Sequence, residues 1–248
     1  MVQTVHYFYA YFKTIDVVGD ELIFSVPTGA FGNLCAGFIA RSMGLPVKQF
    51  ICATNDNGTL HRLFDRGILS KQKLKQTVSS AIDIVVPYNF WRFLYFNCGQ
   101  NTESVKLYME QFDKEGLIQF PGDLWNTLSH GFKSYSISDS ETLKTISTSC
   151  RGSDDYLLDP HGAVAVAAAL KYITERSPDE KIVCLATAHP AKFPLVIGQA
   201  LGPGEPAPAR ALHPALEQAK REFQHLRTGE YALLEEALIR AMKRQLLK

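Results

Sequence analysis

Along this chain the apolar positions switch between a helical period and short unbroken runs, and the switches predict an α/β protein. Over residues 4–18, Val5, Phe8, Tyr9, Phe12 and Ile15 recur at helical spacing, and Gly19-Asp20 ends the run. Residues 21–26 (ELIFSV) are apolar and rich in branched side chains, as in a buried parallel strand. Residues 34–44 read as a helix with small residues on one face and Gly44 as its stop. After Gly44-Leu45-Pro46 a second strand is expected over 48–54, so strand, crossover helix and parallel strand form one right-handed βαβ unit. The polar turn Asn55-Asp56-Asn57-Gly58 follows at the C-terminal edge of the sheet, where α/β proteins place ligands. Its composition is what a plain turn requires, and that is the reading preferred for it.

Farther on, a short helix starts at His61 and closes at Gly67, with Arg62 and Arg66 on a solvated face. Residues 79–92 read as a strand followed by a core helix that turns Phe90, Phe93, Leu94 and Tyr95 inward. Helices near 102–115 and 121–131 and a short strand over 134–138 come next. Asp139 or Ser140 is then expected to cap a helix ending near Cys150. Asp159 is an N-cap candidate before Pro160, and the Ala/Val/Gly run that follows predicts a helix packed closely on the sheet. His161 reads as a satisfied structural histidine. A strand over 181–186, a Pro/Gly linker over 202–209 and two amphipathic helices over 212–248 complete the pattern.

Composition narrows the function classes. With 46% hydrophobic residues over 248 positions the chain can bury a sizeable core, and its net charge of +1 favours neither nucleic acid nor a membrane surface. No apolar run reaches transmembrane length. The aromatic N-terminus lacks a basic region and a cleavage site, so no signal peptide is expected. Five scattered cysteines (Cys35, Cys52, Cys98, Cys150, Cys184), without a CxxC or paired-histidine spacing, predict reduced thiols, a cytoplasmic setting and no metal site.

The candidate chemistry lies in Ser25-Val26-Pro27-Thr28-Gly29-Ala30-Phe31-Gly32-Asn33, between the first strand and its helix. Glycines there let a ligand approach the backbone, and free N–H groups at a helix start attract an anion. It is neither GxGxxG nor a P-loop, and on spacing alone an ordinary strand-to-helix turn explains it equally well. SVPTGAFGN with the following LCAGFIARSMGLPVKQFICATN resembles the glycine loop of threonine synthases and the related phospho-lyases. Three further segments resemble the same family in the same order. They are Ser79–Arg92 with its VPYN wording, Asp159-Pro160-His161-Gly162-Ala163-Val164, and Thr187-Ala188-His189-Pro190-Ala191-Lys192-Phe193. Tyr7 to Phe12 is also similar to wording found mid-chain in threonine synthases.

The resemblance runs from about His6 to about Leu201 and implies a tryptophan-synthase-β-like (fold type II) α/β fold, a parallel sheet flanked by helices, here incomplete. It divides the chain into a helix entering from a missing lobe (1–20), a pyridoxal 5′-phosphate (PLP) binding α/β domain (21–201), and a linker with C-terminal helices (202–248). By position, Thr28, Gly29, Ala30, Phe31, Gly32 and Asn33 would hold the PLP phosphate, and Thr187 would face the pyridine nitrogen. A neutral hydroxyl there leaves the ring a weaker electron sink, suited to elimination and replacement. Where many threonine synthases have asparagine this chain has Ala30, and Gly162 replaces their threonine. The family's Schiff-base lysine belongs to a Phe-Lys-Asp context upstream of the loop, which nothing here matches. No catalytic residue and no covalent cofactor attachment are therefore expected in this chain. The family reaction is elimination of phosphate from O-phosphohomoserine, giving threonine, or a keto acid in the phospho-lyase subgroup. The expected partners are a phosphorylated amino-acid substrate in the complete enzyme and either a missing-lobe partner or a second copy. The alternative is a non-catalytic isoform that binds a partner or signals.

Overall fold

The computed structural model describes residues 2–153, 155–175, 180–202 and 208–216. The chain divides into residues 1–211 and 212–248. Of the second unit only 212–216 are described, where the Leu216 N–H donates to the His213 carbonyl. The helices expected over the rest of 212–248, and most of the linker, lie outside the described residues.

The first unit is built on a four-stranded parallel sheet in the order β5 (Phe132–Ser136), β2 (Val47–Thr54), β1 (Leu22–Pro27), β6 (Ile182–Cys184). The central strand β1 (Leu22–Pro27) is buried at every position, so it has no polar face to show in its pattern. Its residues still alternate. Leu22, Phe24 and Val26 enter one core with Phe50 and Cys52 of β2 (Val47–Thr54), while Ile23 enters a second core with Ile51 and Ala53. Helix α1 (Thr4–Thr14) and helix α2 (Gly32–Ser42) cover the first face. They meet over Gly37, where a Cβ would lie 2.7 Å from Tyr7 Cζ and from Phe50 Cε1.

Helix α3 (Thr59–Arg66) leads into β3 (Ile68–Ser70), and helices α4 (Phe90–Asn97) and α5 (Thr102–Glu115) precede β4 (Leu117–Gln119). β3 and β4 form a small antiparallel pair that the sequence reading does not contain, because three residues are too few to show a period. Helix α6 (Gly122–Ser129), strand β5 (Phe132–Ser136) and helix α7 (Asp139–Arg151) follow. The second face is covered by α8 (Pro160–Glu175), whose small residues let it sit close to the sheet. The buried Ser25 hydroxyl donates to the Ala165 carbonyl at 2.7 Å, a direct strand-to-helix bond that a larger residue at 165 would prevent. Strand β6 (Ile182–Cys184) and helix α9 (Pro194–Leu201) close the unit.

Three expectations are corrected. α1 ends at Thr14 rather than at residue 18. Residues 79–92 contain no strand: a 3-10 turn, Ser80–Ile82, leads through irregular chain to α4, because the side chains of Thr77, Ser79 and Asp83 bond elsewhere and draw the backbone off any ladder. α7 is capped by Ser138, in a capping box with Glu141. The box gives a pH prediction. Partial burial opposes ionisation of Glu141, but Lys171 and the Ser138 N–H and hydroxyl outweigh it and hold the carboxyl down to about 2. Because the folded value is depressed, the contribution is full above the unfolded value and fades as pH falls through it toward about 2. The Glu141→Gln variant lacks this linked proton, so urea unfolding at each pH should show it losing less stability than the wild type between pH 5 and pH 3; equal losses in the two proteins would mean that the carboxyl is not held down.

Candidate functional site

Three of the resembling segments converge at the C-terminal edge of the sheet. β1 ends at Pro27, and the Thr28 N–H continues the ladder by donating to the Ala53 carbonyl at 2.9 Å, so it is committed. Beyond it the chain turns through Gly29, Ala30 and Phe31 into α2. Phe31 sits in the left-handed region (φ 66°) without being glycine, and its ring is fully buried against Phe64, Phe90 and Phe93. That aromatic anchor holds a conformation costing about 1–2 kcal/mol. Its side chain is thus part of the core and cannot touch a ligand in the loop.

The first intrahelical bond of α2 runs from Cys35 N–H to the Phe31 carbonyl. Among the described residues, no hydrogen bond is made by the backbone N–H groups of Gly29, Ala30, Phe31, Gly32, Asn33 or Leu34. Amides without a partner at a helix start could hold an anion. Asn33 contributes its amide but not its side-chain oxygen, which accepts the Tyr7 hydroxyl at 2.8 Å. Burial pushes the Tyr7 phenol far up, so it remains a donor. Ala30 offers no polar side chain, and its carbonyl accepts the Asn89 N–H at 3.0 Å.

Thr187 reaches the same edge. β1 and β6 pair in parallel with Ser25 beside Cys184, and the Leu185 N–H donates to the Ser25 carbonyl at 2.9 Å. Thr187 follows three residues after the last residue of β6, in irregular chain, and is exposed. Lys192 is exposed in the 3-10 turn Pro190–Lys192, which His189 caps by accepting the Ala191 N–H.

A buried polar cluster behind the loop is what the sequence reading missed. Asn55 is 2% exposed and Asn57 4% exposed. The Asn55 side-chain amide donates to Thr77 Oγ1, Ser79 Oγ and Asp83 Oδ1, and its oxygen accepts the Asn57 N–H and side chain. Asn57 also bonds Asp83 and both backbone groups of Lys75. The turn is therefore a fastener for residues 75–83, not a plain turn. Its signal in the sequence was two asparagines at the end of a strand, but their partners lie about twenty residues away, at no fixed spacing. Arg62 is likewise not on a solvated face. Its guanidinium bonds the Asn57 carbonyl, Thr59 and Ser70, whereas Arg66 pairs with Asp65 at the surface.

His161 is buried with both ring nitrogens satisfied, as expected. Its Nδ1 lies 2.9 Å from Asp159 Oδ1 and its Nε2 accepts the Ala81 N–H at 3.0 Å, which fixes the proton on Nδ1. Asp159 also accepts the His161 and Gly162 amides, the capping role read from its position. Cys35 and Cys52 are buried, and burial pushes the Cys184 thiol up to about 11. Among the described residues no group of three or more His, Cys, Asp or Glu could hold a metal, and no helix is long and apolar enough to cross a membrane.

Residues 162–238 match the family model "Threonine synthase, C-terminal". The threonine synthase of Pseudomonas aeruginosa is 40% identical over 86% of this chain, and human threonine synthase-like 2 is 38% identical over 86%. The chain belongs to the threonine synthase family. It spans 44% and 45% of the length of those two curated relatives, a little under half. Among solved structures, PLP-bound threonine synthase from Brucella melitensis superposes with a TM-score of 0.77 at 35% identity, over 84% of this chain and 44% of that one. Yeast threonine synthase does so at 0.84 and 27% identity, over 98% and 52%. The parallel sheet with flanking helices is accordingly the fold type II arrangement of PLP-dependent enzymes.

Proposed function

We propose that this chain supplies the phosphate-holding part of a PLP-dependent lyase site and does not complete a catalytic site by itself. The observation that carries this reading is the run of six unpartnered amides from Gly29 to Leu34, at the edge where ligands of α/β sheets bind. Those amides and the α2 dipole would hold the cofactor phosphate, and the Thr187 hydroxyl would meet the ring nitrogen as a neutral partner. PLP, when bound, supplies electron withdrawal from an amino-acid substrate. The substrate class that follows from the family is a phosphorylated hydroxy amino acid. O-Phosphohomoserine would lose phosphate to give threonine, or a keto acid in the degradative subgroup. The amine that such a site requires is assigned to a lobe outside this chain's matched segments, because no lysine here stands in the matching context.

That assignment also names a partner surface. Val5, Tyr9 and Phe12 on the outer side of α1 are 64%, 66% and 60% exposed. Their occupant would be the remainder of the family fold, in the same polypeptide or another, since this chain spans less than half of its relatives.

Titration of the 248-residue chain with PLP, followed by borohydride reduction and mass mapping, tests the reading. Expected are weak uptake competed by inorganic phosphate, no single reduced lysyl adduct, and no phosphate release from phosphohomoserine. In Gly29→Val the new Cβ would stand 2.8 Å from the Ile82 carbonyl oxygen, and uptake should weaken about tenfold or more. Uptake indifferent to phosphate would remove the cradle, and one specific adduct, at Lys192 for example, would remove the claim that the chain is inactive alone.

A further inference from the structure

The cradle is shaped from behind by a strap, and one residue far along the chain fastens it. Residues 75–89 cross the C-terminal edge of the sheet without forming a strand. Asn55 and Asn57 tie its first half through Lys75, Thr77 and Asp83, and the Asp139 carboxylate accepts the Val78 N–H at 3.0 Å. At its far end the Asn89 N–H donates to the Ala30 carbonyl. Between these ties the strap bears directly on the loop. A Cβ on Gly29 would meet the Ile82 carbonyl oxygen at 2.8 Å and Ile84 Cβ at 3.0 Å, so strap and cradle are in closest contact there.

Ala81, next to that contact, is held by His161 alone among the side chains bonded to it: its N–H donates to His161 Nε2 at 3.0 Å. His161 is 1% exposed and cannot reach solvent or a ligand in the cradle. Its ring is fixed on one edge by the Asp159 carboxylate and flanked by Phe193 at a centroid distance of 5.0 Å. An imidazole presenting an acceptor to Ala81 and a donor to Asp159 can adopt only one neutral tautomer. The chain Asp159, His161, Ala81, Ile82, Gly29 is continuous, with every link a hydrogen bond, a peptide unit or a contact.

We propose that His161 is a positioning residue of the anion cradle, setting through Ala81 and Ile82 where the Gly29–Leu34 amides stand. The inference rests on the reading of that loop as a phosphate receptor, and it goes beyond it by giving a role to a histidine that touches neither ligand nor loop. A purely structural histidine would matter for stability alone; a positioning one matters for how the amides converge on an anion.

Two conservative variants separate these roles. In His161→Gln the side-chain oxygen can take the place of Nε2 and keep the Ala81 bond. In His161→Asn the shorter side chain can keep the Asp159 contact and leaves Ala81 without its acceptor. Inorganic phosphate is titrated into each full-length protein by calorimetry, and the Gly29 and Gly32 amide resonances are followed in 1H–15N spectra. The Asn variant should bind phosphate about fivefold to tenfold more weakly, the equivalent of one hydrogen bond, with both glycine amides shifted. The Gln variant should bind within about twofold of the wild type, with those amides in place. Equal affinities and unmoved amides in both variants would overturn the proposal, as would equal losses in both. Should the wild type take up no phosphate, the cradle reading fails, and the glycine resonances alone decide: shifted in Asn but not in Gln supports the fastening, shifted alike or unmoved in both defeats it.

Discussion

Replacing Phe31 with alanine should destabilise the chain by about 3–5 kcal/mol, the range for removing a fully buried aromatic ring. The ring packs against Phe64 at 5.9 Å, Phe90 at 5.9 Å and Phe93 at 5.2 Å, and through Phe64 and Phe93 it joins Phe132 of β5. The loss is therefore felt across α3, α4 and the sheet edge. A second effect separates alanine from glycine. Phe31 is left-handed, and alanine keeps that strain while losing the packing that opposes it. Phe31→Gly loses the same ring but relieves the backbone, so it should be the more stable of the two by about 1 kcal/mol. Urea unfolding followed by circular dichroism measures both differences. Glycine less stable than alanine would mean that the loop changes conformation once the anchor is gone. Both variants should also lower phosphate affinity, because the anchor stands in the middle of the six amides.

Most of the sheet was legible because its strands are short apolar runs bounded by Gly and Pro, and because the βαβ unit admits one hand. The strand-to-helix turn was legible for a different reason: Gly29 and Gly32 flank a turn whose wording resembles that of a family. Two kinds of feature were not. The β3–β4 pair and the 3-10 turns are too short to carry a period. Residues 79–92 failed for a physical reason, since Ile82, Ile84, Val85 and Val86 look like a strand while the polar residues before and among them decide the path. Thr77, Ser79 and Asp83 bond across the chain to Asn55, and no local rule pairs side chains at that separation. The same gap explains His161. Its type and lone position gave the correct bland reading, but its partner Ala81 lies eighty residues earlier.

Asn55→Ala is the second substitution with a large expected effect, about 2–4 kcal/mol, and it tests whether that cluster is a fastener or a turn. A turn asparagine replaced by alanine at the surface would cost well under 1 kcal/mol. Here the change removes the two amide hydrogens shared among Thr77, Ser79 and Asp83, and withdraws the acceptor shared by the Asn57 N–H and side chain. Ser79 is fully buried, so its hydroxyl has no water to turn to. Asp83 is only partly buried and keeps Asn57 and Thr77, which is why the expected loss stays below that of Phe31. The double variant with Asp83→Asn supplies the decisive comparison. If the two residues act in one network, the second change should add much less on the Asn55→Ala background than on the wild type, a coupling of about 1 kcal/mol or more. Additive losses would mean that the strap is held by its other ties, to Asp139, His161 and Ala30, and that the asparagine turn stabilises only itself. Because the strap bears on Gly29, a coupled result should also appear as weaker phosphate binding in Asn55→Ala than in a surface variant of equal stability.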